Sequence, residues 1–452
     1  MKKYFISEII DEIGMTKYTI GVFILVGLTL LFDGLDYMIV PFTMPQIGKE
    51  WALTKVQTGS LASWSLLGLG IGAIFAGMIS DRIGRKRALG LACIVYSIFT
   101  LPIYFVQSYP VYSVLRVLAG VGLGACIPVA ITMASELAPS KNRGLLSAGV
   151  LSFLMLGWAL AGLVAIYVVP AFGWRVCYLI GGIPALYGIF ILLQPAESPY
   201  WLIAHGRERE AIKIVQNFEI SGKGKARELE PGSLLIPLAA HSVGVKAIFS
   251  PDLIKATASF WLIYFFGALL IYGVISWLPS LLVAKGYGIV RSYSFSVAQN
   301  LFSVIGTMGT GMMADAIGRK KNMALGFFAT AISIMLLGLS ANQGQVLACS
   351  ILVGILMNWG LSAVMPLMAE TYRTEFRNTG IAWATAAGRA GAFCGPILGG
   401  VVQQLGLGFT GVFAFFTLPA LICTLVTVTI VTETKGKGIE ATLAASAKAG
   451  KM

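Results

Sequence analysis

The chain alternates between long apolar runs and short polar loops along its whole length. Each apolar run is about 20 residues long, enough to cross a ~30 Å hydrocarbon core as a helix. Backbone groups in lipid must bond within their own segment, so the pattern predicts helices and not strands. The ten-residue alternation of a membrane barrel is not seen. The predicted spans lie near 19–44, 55–79, 88–107, 110–134, 145–169, 175–193, 257–283, 293–313, 322–340, 345–369, 379–403 and 408–431.

Composition supports an all-α membrane protein that lipid largely solvates. Hydrophobic residues make up 57% of the chain and charged residues 12%, against about 25% charged residues in soluble domains. Of the 33 Lys and Arg residues, only five lie on one predicted side of the membrane: Lys49, Lys55, Arg175, Lys285 and Arg291. The positive-inside rule then predicts a multi-pass protein of the cell (inner) membrane with both termini in the cytoplasm.

The net charge of +13 is explained by this topology and by attraction to the anionic lipid bilayer. It gives no reason to expect nucleic-acid binding. The segment from Met1 to Tyr18 is polar and shows no cleavage site behind a short apolar core, so we expect a cytoplasmic lead-in and not a signal peptide.

A repeat divides the chain. The segment from Gly77 to Arg87, GMISDRIGRKR, recurs as GMMADAIGRKK from Gly311 to Lys321. Two outlying pairs keep the same offset in sequence, Glu136 with Glu370 and Arg143 with Arg377. A duplication is the simplest origin of one shared register. We therefore predict twelve helices in two six-helix pseudo-repeats.

The predicted domains are a first bundle in residues 1–193 and a second in 257–431, with a cytoplasmic tail in 432–452. The cytoplasmic linker between the bundles, residues 194–256, should contain short helices, because apolar residues recur there at helical spacing (Ala211, Ile212, Ile214, Val215 and Phe218). A flexible piece, Ser221 to Arg227, is expected to follow.

Catalytic, metal and cofactor sites are not predicted. The six cysteines show no CxxC spacing, and both histidines lie in the linker. No GxxxxGK[ST] loop is present for nucleotide hydrolysis, and no nucleophile–base grouping is evident. We therefore expect neither an enzyme nor a cofactor.

Four charged residues fall inside predicted spans: Asp33, Asp36, Arg116 and Arg389. Each costs about 2.5–3.5 kcal/mol at the bilayer centre even on insertion scales, so each requires a reason. Asp33 and Asp36 share a helix face. At a rise of about 1.5 Å per residue, Asp33 and Arg116 both lie ~9 Å below the outer boundary and are candidates for an ion pair. The three residues are the predicted proton-coupling site, with a static charge pair as the alternative.

Arg389 lies near the predicted midplane, and no acidic residue occurs within the six spans of the second repeat. A guanidinium there is a ready bidentate partner for a carboxylate on a substrate. Structural pairing, for instance with backbone carbonyls, is the alternative. Aromatic and amide groups at comparable depth complete the predicted substrate site: Trp158, Tyr264, Tyr272, Asn300, Asn358 and Trp359.

A charge network is predicted on the cytoplasmic side, because the duplicated turns carry matching acids and bases. Such pairs can hold two bundles together on one face and separate when the bundles rock. Its members are Asp81, Arg85, Glu136, Arg143, Glu197, Asp315, Arg319, Glu370, Arg377 and Glu433.

These motifs resemble those of the major facilitator superfamily over nearly the whole chain. The duplicated GxxxDxxGRKR pattern is similar to that family's loop signature between helices 2 and 3 and between helices 8 and 9. Arg116 and the glycines after it resemble the helix 4 motif, whose arginine the family ties to proton coupling. The resemblance implies a twelve-helix secondary transporter with alternating access.

Two further resemblances concern the cargo. Residues 196–202, AESPYWL, and 432–436, TETKG, are similar to sugar-porter signatures, with Tyr200 in place of an arginine and Thr432 in place of a proline. The segment Asp33-Gly34-Leu35-Asp36 resembles the DGxD motif of aromatic acid:proton symporters and of relatives that carry nicotinate and other organic ions. That branch also has a helix 11 arginine in a Gly-Arg context such as Gly388-Arg389.

The sequence therefore predicts a monomeric, proton-coupled importer of a small organic anion, with an aromatic or heteroaromatic monocarboxylate as the first candidate. A sugar or polyol:proton symporter and a multidrug or organic-ion exporter of the same fold are the alternatives. A transporter-like receptor, which would bind a ligand without accumulating it, represents a different class.

Overall fold

The computed structural model describes residues 3–194, 197–236, 248–373 and 376–434, without the side chains of residues 143, 145, 147, 148, 311, 312 and 315. Before the linker the helices are α1 (Ile6–Ile13), α2 (Lys17–Glu50), α3 (Lys55–Ile83), α4 (Arg85–Thr100, continued by the 3₁₀ turn Leu101–Phe105), α5 (Tyr109–Glu136), α6 (Arg143–Phe172), α7 (Arg175–Ile180) and α8 (Pro184–Leu193). The linker contains α9 (Pro199–Ala204) and α10 (Glu208–Lys223). Thereafter come α11 (Ile254–Ala284), α12 (Ile289–Ile317), α13 (Arg319–Leu339), α14 (Gln343–Ser362), α15 (Val364–Thr371), α16 (Arg377–Gln404) and α17 (Gly408–Thr429).

The predicted membrane-spanning helices are present. Among the described residues, ten helical segments are long and apolar enough to cross a membrane. The helices α12 and α16, with 29 and 28 residues, are also long enough to span a bilayer but carry more polar side chains. The prediction of a multi-pass helical membrane protein is confirmed.

Two helix boundaries follow directly from glycine. Gly84 and Gly318 each separate two spans, with φ of 100° and 101° and ψ of 156° at both positions. Only glycine adopts this region readily, so the chain turns there within a single residue. The duplicated glycine of the repeat therefore has a backbone reason.

Contacts group the chain into two compact units. The first comprises Met1–Tyr37, Gly68–Trp158 and Arg175–Ala239. Its core is built on α4 and α5, with buried side chains such as Cys93, Tyr96, Leu123 and Met133. Small residues allow close helix packing here. A Cβ at Gly68 would lie 2.0 Å from the carbonyl oxygen of Val117, and one at Gly124 would lie 2.2 Å from that of Leu69.

The second unit comprises Met38–Leu67, Ala159–Trp174 and Ala240–Met452. It therefore includes the predicted outer ends of α2, α3 and α6 together with the second repeat. The helix α3 lies directly on α16, because a Cβ at Gly59 would lie 2.2 Å from the Pro396 carbonyl oxygen and one at Gly400 would lie 2.5 Å from that of Lys55. The Tyr293 hydroxyl also donates to the Phe42 carbonyl. The two bundles 1–193 and 257–431 remain a prediction, since contacts group residues by packing and not by repeat.

The N-terminal segment and the linker form a small layer within the first unit. Ile6, Ile9 and Ile10 pack with Trp201, Leu202 and an apolar face of α10, and the predicted amphipathic residues Ala211, Ile212, Ile214, Val215 and Phe218 are all buried there. Tyr4–Phe5 (β1) pairs in parallel with Leu234–Leu235 (β2), a short ladder that the all-helical prediction lacked.

The segment from Ser221 to Arg227, expected to be flexible, is held in place. The helix α10 continues to Lys223 and ends at Gly224 in the left-handed conformation. Glu12 accepts from Lys223 at 2.6 Å and from Arg227 at 2.9 Å, and Arg227 also pairs with the buried Glu219. The expectation of flexibility was wrong because the ion partner, Glu12, belongs to the N-terminal segment and is remote from the linker in sequence.

Candidate functional site

An ion pair is buried in the predicted membrane interior of the first unit. The Nη1 of Arg116 on α5 lies 3.0 Å from the Oδ2 of Asp36 on α2, and neither side chain is exposed. The Thr100 hydroxyl donates to Asp36 Oδ1 at 2.8 Å, and Arg116 Nη2 donates to the Asp36 carbonyl at 3.3 Å. Because both charges are removed from solvent, each depends on the other for its ionised state.

The carboxylate that meets Arg116 in this ion pair is Asp36, one helical turn from the level expected for Asp33. The depth estimate placed Arg116 beside Asp33, and the long guanidinium side chain reaches the neighbouring turn. Asp33 is also buried, with 1% of its surface exposed. All three predicted proton-coupling residues therefore lie in one buried region of the first unit.

The glycine between the two aspartates is required by packing. A Cβ at Gly34 would lie 2.2 Å from the Leu154 carbonyl oxygen and 3.1 Å from Trp158 Cδ1. The helix α6 therefore lies directly against α2 at this turn. This contact places Trp158, a predicted substrate residue, beside the acidic turn in the first unit, with 5% of its surface exposed.

Arg389 on α16 lies in the second unit beside Tyr264 of α11. A Cβ at the preceding residue, Gly388, would lie 3.1 Å from Tyr264 Cδ1, so the tyrosine ring lies against α16 at that turn. Arg389 is half-buried, and its Nε has no acceptor among the described residues. The Arg389 guanidinium therefore keeps an N–H donor available for a ligand.

The remaining predicted substrate residues in the second unit differ in their bonding. Asn300 and Asn358 are buried, and the Nδ2 of each lacks an acceptor among the described residues. Tyr272 on α11 is half-buried.

Trp359, in contrast, takes part in a closed hydrogen-bond network. Its Nε1 donates to Asn322 Oδ1 at 2.9 Å, and Asn322 Nδ2 donates to the Thr310 carbonyl and hydroxyl, both at 3.1 Å. The ring packs near Gly326, where a Cβ would lie 2.6 Å from Trp359 Cδ1. These contacts give Trp359 a packing role between α12, α13 and α14.

In the first unit, the predicted cytoplasmic network is assembled around Arg85. Its guanidinium lies 2.8 Å from Asp81 and 3.4 Å from Glu136. Glu197 accepts from the backbone N–H groups of Arg85 at 2.9 Å and Lys86 at 3.1 Å. The carboxylate therefore caps the N-terminus of α4, where the helix dipole favours a negative charge.

The second unit repeats this arrangement around Arg319. Its Nε lies 3.2 Å from Glu370, and Glu433 accepts from the backbone N–H groups of Arg319 at 2.9 Å and Lys320 at 3.2 Å. Arg377 donates to the Tyr372 carbonyl at 3.4 Å. The side chains of two predicted members, Arg143 and Asp315, lie outside the described residues. A role of these networks in joining the two bundles remains a prediction.

Two residues near these sites were not predicted from the sequence. Thr100, which binds Asp36, follows 64 residues later in the chain and is one of many threonines in apolar spans. Gln299 is 1% exposed and its Nε2 has no acceptor among the described residues, as for its neighbour Asn300. A buried amide beside another in an apolar span was the available clue.

Comparison with known proteins gives a family match over nearly the whole chain. A family model described as Major Facilitator Superfamily matches residues 26–310 and 294–449. Among curated proteins, the niacin transporter NiaP of Acinetobacter baylyi is 32% identical over 434 residues, covering 95% of this chain and 98% of its own length. The gallate transporter of Pseudomonas putida is 30% identical, covering 92% of each protein. These relatives are transporters, which confirms that the chain is not of an enzyme family.

Solved structures agree on the fold. A crystal structure of a D-xylose–proton symporter superimposes with a TM-score of 0.74 over 93% of this chain and 100% of the other. Sequence identity in that pair is 20%, so the likeness establishes architecture and not cargo.

Proposed function

Because the chain belongs to the major facilitator superfamily, we propose that it is a proton-coupled importer of a small aromatic or heteroaromatic monocarboxylate. The single observation that carries the choice of cargo is Arg389, whose Nε has no acceptor among the described residues. The named cargoes of the two curated relatives, niacin and gallate, support the same choice. A carboxylate is the planar partner that a guanidinium binds through two parallel hydrogen bonds.

Proton coupling belongs in this proposal to the buried acidic turn. Asp33 and Asp36 bind the proton. One of the two carboxylates also balances the positive charge of Arg116. The support is physical. A buried carboxylate that exchanges its proton changes the charge of its surroundings, and an ion pair without solvent contact responds strongly to that change.

Transport then proceeds by alternating access, with residues 1–193 and 257–431 as the moving bundles and the charge networks around Arg85 and Arg319 acting on the cytoplasmic side. The protein resides in the inner membrane with both termini in the cytoplasm. It acts as a monomer, since one chain already contains both halves of the duplicated unit.

The experiment uses purified protein in proteoliposomes with a proton gradient directed inward. Nicotinate and hydroxybenzoates should accumulate, whereas xylose and quaternary amines should not. The variant Arg389→Gln should abolish uptake. Arg389→Lys should weaken it at least tenfold, because the lysine ammonium lacks the planar pair of N–H donors that binds both carboxylate oxygens.

The matched control is Arg291→Gln, an exposed arginine at the start of α12. It should leave uptake unchanged. Normal carboxylate binding by Arg389→Gln would refute the assignment of the anion site. Accumulation of sugar instead of acid would favour the sugar symporter alternative.

A further inference from the structure

Three buried amides of the second unit, Gln299, Asn300 and Asn358, are exposed by only 1%, 2% and 7%. The side-chain nitrogen of each lies away from solvent and has no acceptor among the described residues. Native structures leave few buried donors unsatisfied, so three in one region need an explanation. We call these three residues the amide cluster.

The lack of acceptors is not general to the buried amides of the second unit. Asn322, on the adjacent helix α13, uses its Nδ2 on Thr310 and its Oδ1 on Trp359. The surroundings can therefore satisfy an amide completely. The amide cluster differs in offering donors for which the described residues supply no acceptor.

Close contacts bring together the two helices that carry the amide cluster, α12 and α14. A Cβ at Gly354 of α14 would lie 2.2 Å from the Gln299 carbonyl oxygen, and the Thr310 hydroxyl of α12 donates to the Trp359 carbonyl at 3.2 Å. The two helices therefore run in the same direction and touch along this stretch. Gln299 and Asn300 lie on α12, and Asn358 follows Gly354 on α14 by one helical turn, so all three residues belong to the stretch where the two helices touch.

The level of Arg389 follows from α11. A Cβ at Gly391 would lie 1.9 Å from the Phe265 carbonyl oxygen, and one at Gly267 would lie 3.0 Å from Leu361. Arg389 therefore lies at about the level of Tyr264 and Phe265 on α11. This level is about two residues along the helix axis from the level of Leu361 on α14. Counting back along α14, Asn358 lies some five residues, roughly 8 Å, from the level of Arg389.

The chemistry of these groups is uniform. In Arg389 and in all three members of the amide cluster, the atom without a partner is an N–H donor. No Asp or Glu occurs in the predicted spans 293–313, 345–369 and 379–403, which contain the amide cluster and Arg389. A cargo that carries acceptors would therefore complement these donors. The carboxylate of an aromatic acid would accept hydrogen bonds from Arg389. A second acceptor on the opposite side of the same ring would accept a hydrogen bond from Asn358.

We propose that the amide cluster, with Asn358 as its principal member, recognises a hydrogen-bond acceptor on the ring of the cargo. This inference rests on the proposed function and narrows it. The substrate class becomes aromatic acids that carry a ring nitrogen or a hydroxyl oxygen. Unsubstituted benzoate, and acids whose ring substituent only donates a hydrogen bond, are poorer cargoes.

The test measures binding of matched carboxylates to purified protein by isothermal titration. Nicotinate and 4-hydroxybenzoate should bind about tenfold more tightly than benzoate, as expected for one buried hydrogen bond. The sharpest pair is 4-hydroxybenzoate and 4-aminobenzoate, because both donate but the aniline nitrogen is a weak acceptor. The hydroxyl compound should bind more tightly.

The variant Asn358→Leu should remove this preference, so that 4-hydroxybenzoate binds no more tightly than benzoate. Its thermal stability without cargo should be equal to or above that of the wild type, because an unsatisfied donor is replaced by an apolar group of similar size. A merely structural amide would behave in the opposite way. The control Asn322→Leu should lower thermal stability and keep the preference.

The outcomes separate the two proposals. Failure of every carboxylate to bind would overturn the proposed function. Equal binding of benzoate and 4-hydroxybenzoate, or a preference that persists in Asn358→Leu, would overturn the role of the amide cluster alone. If Asn358→Leu does not fold, Asn358→Ala, which also removes the donor, and Gln299→Leu provide the comparison.

Discussion

Arg116 and Asp36 form an ion pair with an N–O distance of 3.0 Å in which neither side chain has any exposed surface. Thr100 adds a hydrogen bond to the same carboxylate. Such a pair has a large asymmetry in its energetics. Removing one partner leaves a buried charge without compensation, whereas removing both is often tolerated.

We therefore expect Asp36→Asn to lower the free energy of unfolding by about 3–5 kcal/mol, because the buried Arg116 charge loses its ion pair with Asp36. Proton-driven uptake should be lost as well. The measurements are thermal unfolding in detergent and uptake in proteoliposomes with and without a pH gradient.

The double variant Asp36→Asn/Arg116→Gln separates the two effects. It should recover most of the thermal stability and remain unable to couple uptake to the pH gradient. If pH-driven uptake persists in Asp36→Asn or in Asp33→Asn, the altered residue is not the proton carrier.

Alanine at Gly84 or Gly318 should destabilise the protein by about 1–3 kcal/mol, since only glycine adopts this backbone region readily. In addition, a Cβ would lie 2.3 Å from Glu197 Oε2 in the first case and 2.6 Å from Glu433 Oε2 in the second. Both variants should therefore lose the carboxylate cap and show reduced uptake.

Gly77 provides the control, as it belongs to the same repeated motif and a Cβ added there would meet no atom within 4 Å. Gly77→Ala should be neutral or stabilising by up to about 1 kcal/mol, because alanine favours a helix interior. Equal losses in Gly77→Ala and Gly84→Ala would show that the positive φ is not the reason for the duplicated glycine.

The contact between the N-terminal segment and α10 should depend on acid pH. Hydrogen bonds and charge from Lys223 and Arg227 lower the pKa of Glu12 to about 2, from an ordinary value of 4.5. A depressed folded pKa contributes stability that is present above the ordinary pKa and is lost as pH falls from about 4.5 towards 2. Between about pH 6 and 8 no change is expected.

Limited proteolysis between Lys3 and Thr16 measures this contact. Cleavage should accelerate below about pH 4.5 in the wild type, and Glu12→Gln should remove that pH dependence. Because Glu12 is exposed and solvent screens its partners, the variant should cost little stability at neutral pH. A pH dependence that survives in Glu12→Gln would assign it to another group.

Valine at Gly59 should prevent α3 from lying on α16. The substituted carbon would meet the Pro396 carbonyl oxygen at 2.2 Å, and a backbone atom cannot move aside as a flexible side chain can. We expect transport to fall at least tenfold with binding of the cargo retained. Gly21→Val, at an exposed position of α2 with no atom within 4 Å, should leave transport unchanged.

Sequence reasoning located nearly every helix of this fold, because lipid imposes a length and a composition that can be read directly. The predicted span 175–193 and the observed α7 and α8 cover the same residues. It missed the parallel ladder of Tyr4–Phe5 with Leu234–Leu235, because two residues carry no strand periodicity.

The candidate site was predicted less completely. Arg116 was expected beside Asp33 from helix depth alone, but depth does not fix which way a long side chain extends, and the structure shows an ion pair of Arg116 with Asp36 of the same acidic turn. Trp359 was expected near the cargo because of its type and depth, and that role stays a prediction. Its bond to Asn322 depends on how three helices pack, which a single sequence does not state.

The crossing of α3 and α16 has a consequence for turnover. At Gly59 and Gly400 the two helices meet through main-chain atoms, with few rotatable groups to reorganise. Glycine has no side chain, so these two positions add no rotamer change when the helices separate and meet again. A small cost of reorganisation at these two positions would favour rapid cycling.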